Sequence, residues 1–179
     1  MLRRLAQLTA IKGVIDRRVL ANYRLDPNAT AAQLPAPFRP KLVNGYAVGG
    51  LCLIRFKRIR PALLPINAGI ASENAAHRIA VVWDENGHEH EGVFIPRRDT
   101  DSRLNALVGG RLFPGEHHHA RFDVSETQDR FDVGFTSDDG TCAMHIRACR
   151  SDVFPKDSVF GSLNVASDFF EAGTLGYSI

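Results

Sequence analysis

Gly115-Glu116-His117-His118-His119-Ala120-Arg121-Phe122-Asp123-Val124, continued by segments 130–136 and 141–149, is the stretch whose reading decides the fold. Ala120, Phe122 and Val124 alternate with Arg121 and Asp123, the period of two expected of a half-buried strand. The polar clusters Ser125-Glu126-Thr127-Gln128 and Ser137-Asp138-Asp139-Gly140 separate three such runs. Residues 117–124, 130–136 and 141–149 therefore read as an antiparallel meander.

Upstream the same grammar repeats. Asn44-Gly45, a strong hairpin dipeptide, sits between Lys41-Leu42-Val43 and a long strand over 46–59. A second hairpin joins 77–83 to 91–95 through Asp84-Glu85-Asn86-Gly87. Residues 14–25 read as a strand stopped by Asp26-Pro27, and 28–34 as a helix ending before Pro35. Asp99-Thr100-Asp101-Ser102 reads as a run of N-cap residues before a short helix over 103–108, closed by Gly109-Gly110. A last helix is expected over 162–171, with Leu163, Ala166, Phe169 and Phe170 at helical spacing, and one or two helical turns over 2–8. Many antiparallel strands with a few short helices indicate a β-rich α+β fold, with a curved or barrel-like sheet. With no repeat, low-complexity segment or linker, residues 1–179 read as one domain.

Composition narrows the functional classes. The longest wholly apolar run is residues 46–54, far short of the roughly 20 residues a membrane-spanning helix needs. Gln7, Thr9 and Lys12 interrupt the apolar stretch of any secretory signal, and the three cysteines (Cys52, Cys142, Cys149) contain no C-x-x-C. These features fit a reduced, cytoplasmic protein. Residues 1–60 hold 12 basic and 2 acidic side chains, and residues 61–179 hold 10 and 18. With a net charge of only +2, the basic third is expected to pack beside the acidic remainder, not to bind nucleic acid. There is no P-loop, no G-x-G-x-x-G and no G-x-S-x-G.

The candidate chemistry is sparse. Alternation places His118 on the face of Ala120, Phe122 and Val124, toward a core or cavity, with His117 and His119 on the opposite face. The His117/His119 pair with His145 or Glu116 has no defining ligand spacing, so no metal and no cofactor is assigned. The segment 93–100 reads as a strand entering a helix N-terminus, where Arg97 or Arg98 would hold a carboxylate or phosphate; the alternative is an arginine paired with Asp99, Asp101 or Glu73. On strand 46–59, Arg58 and Arg60 continue the row of Cys52, Ile54 and Phe56, and mid-strand Cys52 reads as an inert core thiol. The cluster His88-Glu89-His90-Glu91 reads as a solvated hairpin tip.

Several segments together resemble the acetoacetate decarboxylase-like superfamily, and more closely its uncharacterised YqjF-like branch. They are 21–27 (Ala-Asn-Tyr-Arg-Leu-Asp-Pro), 44–47 (Asn-Gly-Tyr-Ala), 101–104 (Asp-Ser-Arg-Leu), 110–113 (Gly-Arg-Leu-Phe), 118–122 (His-His-Ala-Arg-Phe) and 169–173 (Phe-Phe-Glu-Ala-Gly). The resemblance implies a cone-shaped or partly open β-barrel around a cavity. Decarboxylases of that superfamily form a Schiff base on a lysine, with a neighbouring lysine lowering its pKa. The corresponding region here is His118-His119, and no lysine occurs between Lys57 and Lys156. The resemblance thus implies a small anionic or carbonyl ligand without the imine nucleophile. His118 and Glu73 are the candidate acid/base groups, and Arg24, Arg97, Arg98 and His119 the candidate ligand-binding groups. Similar chains continue past Leu175-Gly176-Tyr177-Ser178, so ending at Ile179 implies a fragment, a shortened variant, or an open sheet completed by another chain as a homo-oligomer.

Overall fold

The computed structural model describes residues 11–61, 69–103, 115–173 and 176–178. Ten strands join in one sheet: β1 (Ile11–Leu25), β2 (Arg39–Pro40), β3 (Leu42–Val43), β4 (Tyr46–Pro61), β5 (Ile70–Glu85), β6 (His88–Thr100), β7 (Glu116–Glu126), β8 (Arg130–Ser137), β9 (Ala143–Cys149) and β10 (Gly176–Tyr177). Two helices, α1 (Pro27–Ala31) and α2 (Leu163–Ala172), flank it. The spatial order is β1-β4-β5-β6-β7-β8-β9, antiparallel throughout except that β7 and β10 both run parallel to β6.

Local chemistry sets the corners. Asn44-Gly45 and Asn86-Gly87 both take positive φ, as a type I′ hairpin requires, and each makes a two-residue connection. The second turn is tighter than expected: Asp84, Glu85 and His88 all belong to the β5–β6 ladder, and His90 stacks on Trp83. Gly50 serves a different purpose. Its φ is +154°, and a Cβ there would lie 1.9 Å from the Ala21 carbonyl oxygen, so only glycine lets β1 approach β4 this closely.

The helices differ slightly from expectation. Asp26 caps α1, accepting a hydrogen bond from the Ala29 N–H, with Pro27 starting the helix; α1 then stops at Ala31, three residues early. Ser162 caps α2 in the same way. The expected helix over 103–108 and the turns over 2–8 lie outside the described residues. Among the described residues no helix is long and apolar enough to cross a membrane.

The meander forms as expected, and it curls back over the long strands to make a half-barrel. Leu51, Leu53 and Ala75, on one face of β4 and β5, pack against Ala120 of β7 and Val133 and Phe135 of β8. We call this the core face. Burial of these chains, at about 25 cal/mol per Å², is the main stabilising contribution here. Both faces of the central strands are covered, because Cys52, Ala76 and Ile95 form a second cluster on the opposite side, with Leu20, Ile54 and Val93 around them. That explains the unalternating apolar run at 46–54: a strand covered on both sides has no polar face.

Candidate functional site

Three groups of ionisable side chains among the described residues bear on a candidate site, and strand register places their members. On the core face, the apolar row of β4 and β5 continues into charge. Arg17 of β1 lies opposite Arg55 of β4, which lies opposite Glu73 of β5. Arg17 donates to Glu73 at 2.5 Å and to Glu126 at 2.8 Å, and Arg55 donates to Glu73 at 2.5 Å and also to Glu126. The Arg17 and Glu73 side chains are 7% and 12% exposed. Burial alone would raise the pKa of Glu126, but hydrogen bonds from Arg17 and Arg55 outweigh it and hold the group below its ordinary value. Both oxygens of Glu73 are held by guanidiniums, Oε2 by Arg17 and Oε1 by Arg55, so this side chain ties β5 to β1 and β4.

The second group also lies on the core face. Asp99 of β6 is fully buried and accepts from Arg97 Nε at 3.0 Å, from Arg97 Nη2 at 2.8 Å and from His77 Nε2 at 2.9 Å. Burial pushes Asp99 upward, yet the hydrogen bonds from His77, Arg97 and Ser137 prevail and bring its pKa to about 2. Arg97 also reaches Ser137 and Thr141 hydroxyls, each at 2.6 Å, and Asp139 at 3.1 Å. Cys142 Sγ lies 3.9 Å from His77 Nε2, and burial raises its thiol pKa, with Asp99 and Asp139 adding to the effect. His118 joins this group, with Nδ1 2.8 Å from Asp139.

The third group lines a cavity of about 380 Å³ on the opposite face. Its walls are mainly apolar (Ile15, Ile54, Phe56 and Ile59 among them), and its polar side chains are Asn74, Arg98 and His117. Arg98 of β6 and His117 of β7 are register partners, so their side chains leave the ladder on the same side. Burial lowers the pKa of Arg98, with the Cys52 sulfur pulling the other way; as a guanidinium it stays charged. Burial likewise pushes His117 below its ordinary value, so the imidazole is neutral at neutral pH. Its Nδ1 lies 2.9 Å from the Gly115 carbonyl and must carry the hydrogen, which makes Nε2 the basic nitrogen. No carboxylate lines this cavity among the described residues. Cys52 is buried, as expected, and accepts from Arg18 Nε at 3.4 Å.

The sequence-derived candidates thus separate. Arg98 lines the cavity. Arg97 does not; it makes the internal pair with Asp99 that was the alternative. Arg97–Thr100 belong to β6 and their backbone pairs with β5 and β7, so these residues offer no exposed N–H groups to an anion; the helix expected after them extends outside the described residues. His118 does share the face of Ala120, Phe122 and Val124, but that is the core face, and the cavity lies behind it. His119 pairs with Asp138 at 2.7 Å. Arg24 is exposed, 5.7 Å above the Tyr46 ring, and lines a separate groove with Phe154 and Phe160. Arg58 and Arg60 do not extend the Cys52 row, because a register shift between Phe56 and Ile59, with Arg58 at positive φ, breaks the alternation. His117 was missed as a site residue, since parity assigns two faces without saying which one holds the cavity.

Comparison with known proteins agrees with this architecture. The family model DUF2071, described as an uncharacterized conserved protein, matches residues 15–169. No curated protein matches the sequence. Among solved structures, acetoacetate decarboxylase from Legionella pneumophila superposes with a TM-score of 0.60 at 14% identity, covering 90% of this chain and 55% of that one. An acetoacetate decarboxylase-like enzyme from Sphingomonas wittichii gives 0.51 at 17% identity, covering 78% and 57%. The enduracididine biosynthesis enzyme MppR, complexed with pyruvate, gives 0.51 at 16% identity, covering 77% and 57%. The chain spans little more than half the length of these structures, and at such identities the likeness is one of fold.

Proposed function

Because this chain belongs to the DUF2071 family and has an acetoacetate decarboxylase-like fold, we propose that it binds a small carboxylate or oxo acid in the cavity lined by Arg98 and His117. The observation that supports this most is a half-buried guanidinium beside a neutral imidazole on a mainly apolar wall. A guanidinium in a low-dielectric setting attracts a carboxylate strongly and can do so with two parallel N–H donors. The apolar side chains would take up the carbon skeleton. Neutral His117 would be placed to accept or pass a proton at Nε2. One fold neighbour is an enzyme complexed with pyruvate, which makes an oxo acid the first probe to use.

The chemistry differs in this proposal from imine formation. Among the described residues no lysine lines the cavity, and the segment from Arg58 to Pro155 contains none. Saturation-transfer NMR with pyruvate, acetoacetate and acetate is expected to show contact for the oxo acids. Borohydride reduction in the presence of pyruvate is expected to leave the protein mass unchanged; a mass increase of one reduced adduct would overturn the non-covalent reading. A cytoplasmic setting is part of the proposal, supported by three free cysteines.

A second reading concerns assembly. Among the described residues β1 pairs only with β4, and its exposed Val14, Ile15 and Tyr23 lie on a long open-edged strand. Such an edge suits pairing with a second copy. Light scattering after gel filtration is expected to show a dimer, and a monomer at all concentrations would exclude it.

A further inference from the structure

His77, Asp99 and Cys142 come from β5, β6 and the segment before β9, yet one ligand atom from each lies within 4.8 Å of the other two. His77 Nε2 is the common neighbour, 2.9 Å from Asp99 Oδ2 and 3.9 Å from Cys142 Sγ. Nε2 carries at most one hydrogen and Asp99 Oδ2 is its nearer partner, so the contact with the Cys142 sulfur, itself an S–H donor, is the weaker of the two. Nε2 alone cannot serve as a relay between the thiol and the carboxylate, which would need both ring nitrogens. What all three atoms can share is a cation placed between them.

We propose that His77 Nε2, Asp99 Oδ2 and Cys142 Sγ form a binding site for one thiophilic divalent metal ion of the zinc type, with a fourth position open. In a tetrahedral site with bonds of about 2.0–2.3 Å, donor atoms stand roughly 3.3–3.6 Å apart. The two distances from His77 Nε2, 2.9 Å and 3.9 Å, bracket that spacing. The set is one nitrogen, one oxygen and one sulfur, a combination that favours zinc over magnesium or calcium.

The surroundings supply what such a site needs. Arg97 holds both oxygens of Asp99, Oδ1 from Nη2 at 2.8 Å and Oδ2 from Nε at 3.0 Å, which would orient the carboxylate, and the metal would take the side of Oδ2 that now faces His77. Charge also balances. The side-chain charges of Asp99, Asp139 and Arg97 sum to one negative charge. A divalent ion that binds with release of the Cys142 thiol proton to solvent brings the cluster to zero. His77 and Cys142 are half-buried rather than sealed, so an ion has a route in. The site stands on the core face and shares no residue with the cavity wall, so it is independent of the oxo-acid reading.

Cobalt(II) titration of the metal-free full chain tests this. We expect one equivalent to bind, with an intense visible spectrum of four-coordinate cobalt and a thiolate-to-cobalt charge-transfer band. Cys142→Ser is expected to remove the charge-transfer band and weaken binding at least tenfold, while Cys52→Ser and Cys149→Ser keep both. Should Cys142→Ser fold poorly, X-ray absorption of the zinc-loaded wild-type chain reads the same point: one sulfur at about 2.3 Å beside nitrogen and oxygen donors. No charge-transfer band, a band that survives in Cys142→Ser, or a zinc shell without sulfur would overturn the proposal.

Discussion

The two faces of the central sheet use arginine differently. On the core face, Arg17, Arg55 and Arg97 each hold carboxylates of this same chain: Glu73, Glu126, Asp99 and Asp139. On the cavity face, Arg98 stands beside a neutral histidine in a wall that contains no carboxylate among the described residues. Arginines answered from within the chain fix strand positions. Arg98 donates to Ser178 Oγ at 3.2 Å and also lines the cavity, so in the proposed reading it would hold an entering carboxylate in addition to that bond. The chain's preference for arginine over lysine, 18 against 4, suits both uses, since a guanidinium stays charged when buried.

That division can be broken by experiment. Glu73→Gln removes the carboxylate between Arg17 and Arg55 and leaves two guanidiniums partly unanswered, so stability is expected to fall by about 3 kcal/mol in urea unfolding. Oxo-acid affinity should stay unchanged. A variant that lost affinity at full stability would erase the distinction between the faces. Arg98→Met should behave in the opposite sense, with oxo-acid affinity lost and the unfolding midpoint lowered less than in Glu73→Gln, since a desolvated charge leaves together with its hydrogen bond to Ser178.

The acid limb of stability sharpens the same point. Glu126 is held below its ordinary pKa by Arg17 and Arg55, after their hydrogen bonds outweigh burial. A carboxylate with a depressed folded-state pKa stabilises above the unfolded value, and that contribution disappears as pH falls through the folded one. Urea midpoints measured from about pH 7 to about pH 3 should therefore drop. In Arg17→Met the drop should be shallower, and equal slopes would show that the network contributes nothing. The smallest effect belongs to Arg39, which pairs with Asp84 at 2.6 Å while both side chains are more than half exposed. Arg39→Ala is expected to change stability by about 0.5 kcal/mol or less, because water screens such a pair; a larger loss would mean that pairing alone, without burial, holds the fold.

The fold was largely legible in the sequence, for local reasons. Asn44-Gly45 and Asn86-Gly87 dictate hairpins by backbone preference alone, and the meander follows from strict alternation between polar turns. The end of β6 was not legible. Asp99-Thr100-Asp101 has the composition of a helix cap, but β7 arrives alongside and takes residues 97–100 into a parallel ladder. Nothing local reports a parallel partner. The candidate site was half legible. Arg98 was named among the ligand-binding groups, whereas His117, placed on its correct face, was passed over because the apolar parity of Ala120 and Phe122 follows the larger core and does not report the cavity behind it. The unalternating run at 46–54 was the available clue, since it requires both faces to be covered. The convergence of His77, Asp99 and Cys142 left no trace in spacing, as it depends on β5, β6 and the β8–β9 connection meeting in space.

The most direct test of the cavity reading is calorimetric titration of pyruvate into the wild-type chain and into Arg98→Met. A guanidinium–carboxylate contact contributes about 1.5–3 kcal/mol, or about ten- to hundredfold in affinity. The account predicts saturable one-to-one binding to the wild type that weakens at least tenfold in the variant. Equal affinity in the two proteins, or no binding to the wild type, would contradict it.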